Sequence, residues 1–470
     1  MNTVDGLVII IYFLLLIFVG ILGSQRAKTS EDYIVAGRNL GFTMYLACLA
    51  AVILGGASTI GTARLGYEFG LSGLWLVAML GLGIVVMGIF FSKKIFSLKV
   101  LTISQMLTER YNAQTGVISA LVAAIYAMMV SVTQVIGMGT VLHVLLGWNL
   151  TFSMIIGGTI ALSYTILGGM WSVTMTDIVQ FIIMTIGVFA IMLPMSLSKA
   201  GGWSNLQAEL PTSYFGISSI GGMEIFQYFL LFCLGMVVAQ DIWQRLFTAR
   251  TLKVARLGTL GAGIYSLFYA IAISIIGMCA FVAIPALNDP QTAFTSMALE
   301  TLPTGILGIV LASVLSALMS TSSGTLLASS TLIVNDIIKP LVPSMSEKIF
   351  LKASRFTTLA TGVVTMIFAV WIQDVLVALD VAYAVLSGSL FFPIVFGFFW
   401  RKATSKAAFF SILLSSAVIL IGLVVQGITA TEPIVYGLIT SFISFVTISL
   451  TSKQTQISTN PKLPKKQSVS

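Results

Sequence analysis

The sequence predicts an all-α integral membrane protein of about thirteen transmembrane helices, and three observations carry that prediction. Of the 470 residues, 57% are hydrophobic and only 9% are charged, whereas a soluble domain needs roughly 25% charged residues to wet its surface. Apolar runs such as 7–22, 73–91 and 181–195 recur along the whole chain, each close to the ~20 residues that cross a ~30 Å hydrocarbon core. The runs do not alternate apolar with polar residues as barrel strands do. Helices are the remaining way to pair every backbone group in lipid.

The expected spans are 5–24, 41–67, 72–93, 115–146, 150–168, 174–198, 223–246, 257–285, 303–336, 353–372, 375–399, 405–427 and 433–452. The first lacks a basic leader and a small-residue cleavage site, so it reads as a span and not as a removed signal peptide. Sorting Lys and Arg over alternate loops supports the odd count. One side collects Arg26, Lys28, Arg38, Lys93, Lys94, Lys99, Arg110, Arg245, Arg250, Lys253, Arg256, Lys339, Lys348, Lys352, Arg355, Arg401, Lys402, Lys406 and the tail lysines, and the other holds Lys199 alone. Positive residues gather in the cytoplasm, so the N-terminus is expected outside, the C-terminus inside, and the protein in the cell membrane. Lipid headgroups, not nucleic acid, are the natural partner of the net charge of +8.

Span 2 is interrupted at Gly55-Gly56 and followed by Ser58 and Thr59, and span 7 carries Gly235 and then the polar run Ala239-Gln240-Asp241. Gly-interrupted spans five apart suggest two inverted five-helix repeats, over 41–200 and 201–400, meeting at a midplane site. Gly55 and Gly56 also fit a plain close approach of two helices. The segment 1–40 would then be a preceding span and loop, 401–452 two following spans, and 453–470 a disordered polar tail.

Span 9 has the densest run of hydroxyls: Ser316, Ser320, Thr321, Ser322, Ser323, Thr325, Ser329, Ser330 and Thr331. Residues three and four apart share a face, so the Ala317 carbonyl would join Ser320 and Thr321 in a patch of neutral oxygens. Such a patch suits a monovalent cation that must bind and leave; a divalent ion would recruit carboxylates. The competing reading is that these hydroxyls bond back to their own helix or to a neighbouring one.

Ionisable groups within spans are functional candidates by default. Arg64 pairs with Glu68 at i+4 or meets a solute carboxylate; Asp241 and Arg245 make a similar i, i+4 pair suited to an inner gate; Asp380 has no partner in sequence and is a pore candidate. By depth, Ser58, Thr59, Gln134 and Gln240 are the side chains expected to touch a solute. Cys48, Cys233 and Cys279 lie inside spans, where small buried hydrophobes need no further role. The lone His143 cannot build a metal site. With no HExxH, Walker loop, Cys/His cluster or paired carboxylates on one span, an intramembrane enzyme is disfavoured, and no cofactor is expected.

These residues resemble a known family. The stretch from Gly61 through Gly66-Tyr67 to Gly70, the run Gly168-Gly169-Met170-Trp171-Ser172 to Asp177 and Gln180, Gln244-Arg245, span 9, and Pro393 to Trp400-Arg401-Lys402-Ala403-Thr404 together resemble the sodium:solute symporter family, over about 5–450. The resemblance implies a LeuT-type 5+5 inverted-repeat core with one extra span before and two after. It also implies sodium as coupling ion, and a small organic solute (amino acid, carboxylate, vitamin or sugar) carried inward by alternating access. Carried over by motif, the sodium ligands are the carbonyls of Ala51, Leu54 and Ala317 and the hydroxyls of Ser320 and Thr321. Asp177 matches the family's acidic residue at the start of span 6, with a role in ion release or in holding the bundle's cytoplasmic end. Sugar-carrying relatives show Asn-Gln or Asp-Gln where this chain has Ala239-Gln240, which argues against a sugar. Proton coupling through Asp177, Asp241 or Asp380, and a transporter-fold sensor, stay open as alternatives.

Overall fold

The structure, a computed structural model, describes residues 3–98, 100–428, 430 and 432–452; the expected tail 453–470 lies outside them. All extended regular structure among the described residues is helical, save one isolated bridge between Leu40 and Ala249. Eleven helical stretches are long and apolar enough to cross a membrane, and Phe42–Ile53 and Leu150–Ser163 are shorter apolar helices. Two junctions depart from thirteen separate spans. Span 2 is cut into two pieces, its second piece runs through a tight turn at Gly70 (φ +66°) into span 3, and spans 5 and 6 are joined with almost no loop at Gly169 (φ +56°).

Gly169 shows why the Gly-Gly motif stands there: a Cβ on it would lie 2.5 Å from the Tyr33 carbonyl oxygen, and its positive φ disfavours any side chain. Helix starts are specified locally as well. Asn112, Asn149, Thr251, Asp374 and Thr404 each accept a backbone N–H of the first turn, satisfying donors that a helix leaves orphaned.

The loops sort onto two ends. Leu40 N–H donates to the Thr248 carbonyl, Arg38 to the Val100 carbonyl, Ser30 N–H to Glu347 and Arg110 to the Gly397 carbonyl, so the loops after spans 1, 3, 7, 9 and 11 share one end, here called the basic end. At the other end, Asp5 accepts from the N–H groups of Gly305 and Gly308 at 2.7 and 3.1 Å, and Tyr67 donates to the Ile284 carbonyl. Span 9 (Ile306–Thr331, continuing through 332–338) is buried almost all round, packed among spans 1, 2, 4 and 6. Spans 12 and 13 pack on each other and against span 11, away from this centre.

Candidate ion and solute site

The first piece of span 2, Phe42–Ile53, ends where Leu54 leaves helical geometry (φ −93°, ψ 48°), and helix resumes at Ala57. A helix end frees the carbonyls of its last turn, Ala51 among them. Two are claimed at once: Val52 accepts from Thr321 Oγ1 at 2.8 Å and Ile53 from Ser58 Oγ at 2.7 Å. On the other side of the break, Gly56 N–H donates to Gln134 Oε1 at 2.5 Å. Gly55 has no room for a side chain, because a Cβ there would lie 2.5 Å from both Gln134 Oε1 and Thr321 Oγ1.

Most span 9 hydroxyls do bond back to their own helix: Ser313, Ser323, Thr325 and Ser330 donate to carbonyls three or four residues earlier. Ser320 and Thr321 differ. Thr321 reaches the span 2 break as well as the Ala317 carbonyl at 3.2 Å, and Ser320 donates to Asp177 Oδ1 at 2.5 Å. A hydroxyl has one proton, so giving it to Asp177 leaves the Ser320 lone pairs for another partner.

Asp177 is itself compensated. Its Oδ2 lies 3.4 Å from Arg245 Nη2, both side chains at 0% exposure, and accepts from Cys48 Sγ at 3.0 Å. Arg245 also donates to the carbonyls of Cys48 (3.2 Å) and Asp241 (3.3 Å). This corrects two expectations. Arg245 forms its ion pair with Asp177 across the bundle and touches Asp241 at the backbone carbonyl, acting on the Asp241 carboxylate through charge alone. Cys48 is no passive hydrophobe but ties span 2 to span 6, a role that nothing in its own sequence context signals.

A cavity of about 20 Å³ lies beside the break, lined among others by Ser58, Gln134, Asp241, Thr321, Met236 and Tyr383. That is room for about one water-sized body. Toward the end away from the basic one, Arg64 donates to Glu68 at 3.2 Å and, across to the cap of span 11, to Asp374 at 2.9 Å. The Asp374 partner was invisible to local spacing.

Three other expected residues lie elsewhere. Thr59 faces span 8, bonded to Tyr269 at 2.8 Å; Gln240 accepts from Ile103 N–H at 2.8 Å, toward the basic end; neither lines the cavity. Asp380 also stands off it, half-buried and within electrostatic reach of Glu224 and Asp374. Each misses because depth along a span does not say which face points inward. Tyr126 and Tyr383, whose rings meet edge to face at 5.1 Å and whose hydroxyls are 3.1 Å apart, border the site without having been signalled by any motif.

A family model, that of the sodium:solute symporter family, matches residues 33–415. A sodium/proline symporter of Staphylococcus aureus is 26% identical over 449 residues, covering 89% of this chain and 86% of its own. A sodium/glucose cotransporter of Vibrio parahaemolyticus is 25% identical over 463 residues, covering 88% and 84%. Among solved structures, a Na+-coupled sialic acid symporter in a substrate-bound, outward-open state superposes with a TM-score of 0.83 at 18% identity, covering 97% of this chain and 99% of that one. MhsT in complex with L-phenylalanine gives a TM-score of 0.55 at 11% identity, covering 87% and 97%. The fold is LeuT-type and the protein a multi-pass membrane symporter, not an enzyme. The chain belongs to the sodium:solute symporter family and couples the movement of a small solute to sodium.

Proposed function

We propose that sodium binds between the span 2 break and span 9, at the carbonyls of Ala51, Leu54 and Ala317 and the hydroxyls of Ser320 and Thr321, and that the solute sits beside it in the cavity at Ser58, Gln134 and Asp241. The observation that carries this is the 2.8 Å contact of Thr321 Oγ1 with the Val52 carbonyl, which sets a span 9 hydroxyl against the loosened carbonyls of span 2. Neutral oxygens suit a reversible monovalent cation, and Arg245 offsets the charge of the Asp177 carboxylate that holds Ser320.

The basic end is cytoplasmic by its loop charges, with the N-terminus outside and the two five-helix halves at 41–200 and 201–400 rocking around the site. Arg64 with Asp374 closes the outer path, and Arg245 with Asp177 and Cys48 closes the inner one; both sets of contacts are formed in this structure. Sodium entering from outside draws span 2 to span 9, and breaking the inner contacts releases ion and solute inward. One charge moving down 100 mV supplies about 2.3 kcal/mol, enough for roughly fiftyfold accumulation.

The test is uptake in proteoliposomes with an imposed sodium gradient, wild type against a Ser320→Ala, Thr321→Ala double variant. The variant is expected to keep its fold and lose sodium-stimulated uptake. An unchanged sodium dependence removes both hydroxyls from the ion site, and uptake that follows a pH gradient without sodium replaces the coupling ion.

A further inference from the structure

We propose that the Asp241 carboxylate recognises the transported solute and that this solute carries a protonated amine. The inference rests on the symport reading above and names the substrate class of the same cavity.

Span 7 breaks at Val238–Ala239, where Ala239 is extended (φ −77°, ψ 124°), so Asp241 stands in the first turn of the resumed helix Gln240–Thr248. Its side chain is 3% exposed and lines the cavity. Tyr126 donates to Oδ1 at 3.3 Å. This neutral donor holds the carboxylate in place without cancelling its charge. The one cation on the same helix, Arg245, pairs with Asp177 and hydrogen-bonds Asp241 only at its backbone carbonyl, while its charge also acts on the Asp241 carboxylate, so one guanidinium serves two buried carboxylates. Among the described residues Asp241 has no ion-pair partner.

Two buried carboxylates that share one guanidinium leave an excess negative charge, which is costly deep in a membrane protein, and Asp241 borders the space in which a solute must sit. A solute that brings its own ammonium relieves the cost, since an ammonium offers several charge-assisted hydrogen bonds. The remaining wall suits such a guest. Tyr383 lines the cavity and stacks edge to face with Tyr126 and with Phe232, at 5.1 and 5.2 Å, and aromatic faces tolerate a cation. A neutral polyol leaves the carboxylate unpaired, and a simple carboxylate is repelled by it. Discrimination of this kind rests on what is left unpaired when the wrong solute binds.

The experiment is a thermal-shift panel on the purified full chain in detergent, in sodium and in choline buffers. Matched probes differ in the amine: alanine against lactate and propionate, proline against cyclopentanecarboxylate, the other common amino acids and ethanolamine, with glucose and galactose as polyols. Stabilisation in sodium is expected only from amine-bearing probes, and the apparent affinity of the best should fall a hundredfold or more in Asp241→Asn. Sodium alone should still stabilise Asp241→Asn, because its proposed ligands lie on spans 2 and 9. Stabilisation by a sugar or simple carboxylate, by no amine at all, or by an amine to which Asp241→Asn is indifferent overturns the proposal. So does loss of the sodium-only response in that variant, which assigns the carboxylate to an ion. If Asp241→Asn does not fold, the wild-type panel decides by itself. Amine selectivity that is independent of sodium sinks the sodium-site reading and leaves the solute assignment standing.

Discussion

Replacing Gly55 by Ala tests the junction of spans 2 and 9 directly. The backbone there has no positive φ, so the effect of the methyl group is steric. It would sit 2.5 Å from Thr321 Oγ1 and from Gln134 Oε1, and 2.8 Å from Thr321 Cβ. Ordinary contact begins at 3.4 Å, so the neighbours must yield by about 0.9 Å (3.4 less 2.5). Thr321 must swing away from the Val52 carbonyl and Gln134 must leave Gly56 N–H, and each buried group so orphaned costs about 1–3 kcal/mol. An ion losing one oxygen of its cage loses a charge-assisted contact of about 1.5–3 kcal/mol, at least a tenfold weaker sodium affinity. With sodium at a hundred times the wild-type Kd, its stabilisation falls from about 2.7 to about 1.4 kcal/mol. The assay is thermal unfolding of purified protein in sodium against choline, with Gly222→Ala as control, since a Cβ at Gly222 meets nothing within 4 Å. A Gly55→Ala protein that gains the same Tm from sodium as the wild type refutes the placement of the ion at this junction.

Arg64→Gln removes the outer ion pairs, but their side chains are 26–34% exposed, so stability should change by less than about 1 kcal/mol. What should rise is access from outside: a cysteine at Ser58 is expected to react faster with a membrane-impermeant thiol reagent in that background, and an unchanged rate takes the gate away from Arg64. Gly324→Ala drives a methyl to 2.4 Å from Arg245 Nη2, displacing the guanidinium from Asp177. Breaking a fully buried pair costs about 3–5 kcal/mol, so this variant should show a lowered Tm in choline as well as in sodium; a wild-type Tm would mean that Arg245 has another resting place.

Ser320 and Thr321 were legible as special because they lie one apart on a hydroxyl-rich helix, in register with the Ala317 carbonyl. Their separation from Ser323 and Thr325, which bond back to their own helix, was not, since that depends on what span 2 and span 6 place opposite. The Asp241–Arg245 expectation failed for the same reason. An i, i+4 spacing makes a pair geometrically allowed, but Asp177, sixty-four residues upstream of Asp241 in the numbering, competes for the guanidinium and wins it. Arg64 kept its i+4 partner Glu68 and gained Asp374 from the far half of the chain.

Composition and periodicity alone determined the solvent of this protein. So few charges on so many long apolar runs admit only lipid, and lipid admits only helices, whose breaks are marked by the residues that cannot hide a side chain or must free a carbonyl. Tertiary structure alone decided which faces of those helices meet. It turned Thr59 and Gln240 away from the cavity, matched Arg245 to Asp177, and left Asp241 buried with only a share of that guanidinium's charge. Helix propensity and hydropathy act along the chain, whereas ion pairing and close packing depend on which distant segments the fold brings within a few ångströms.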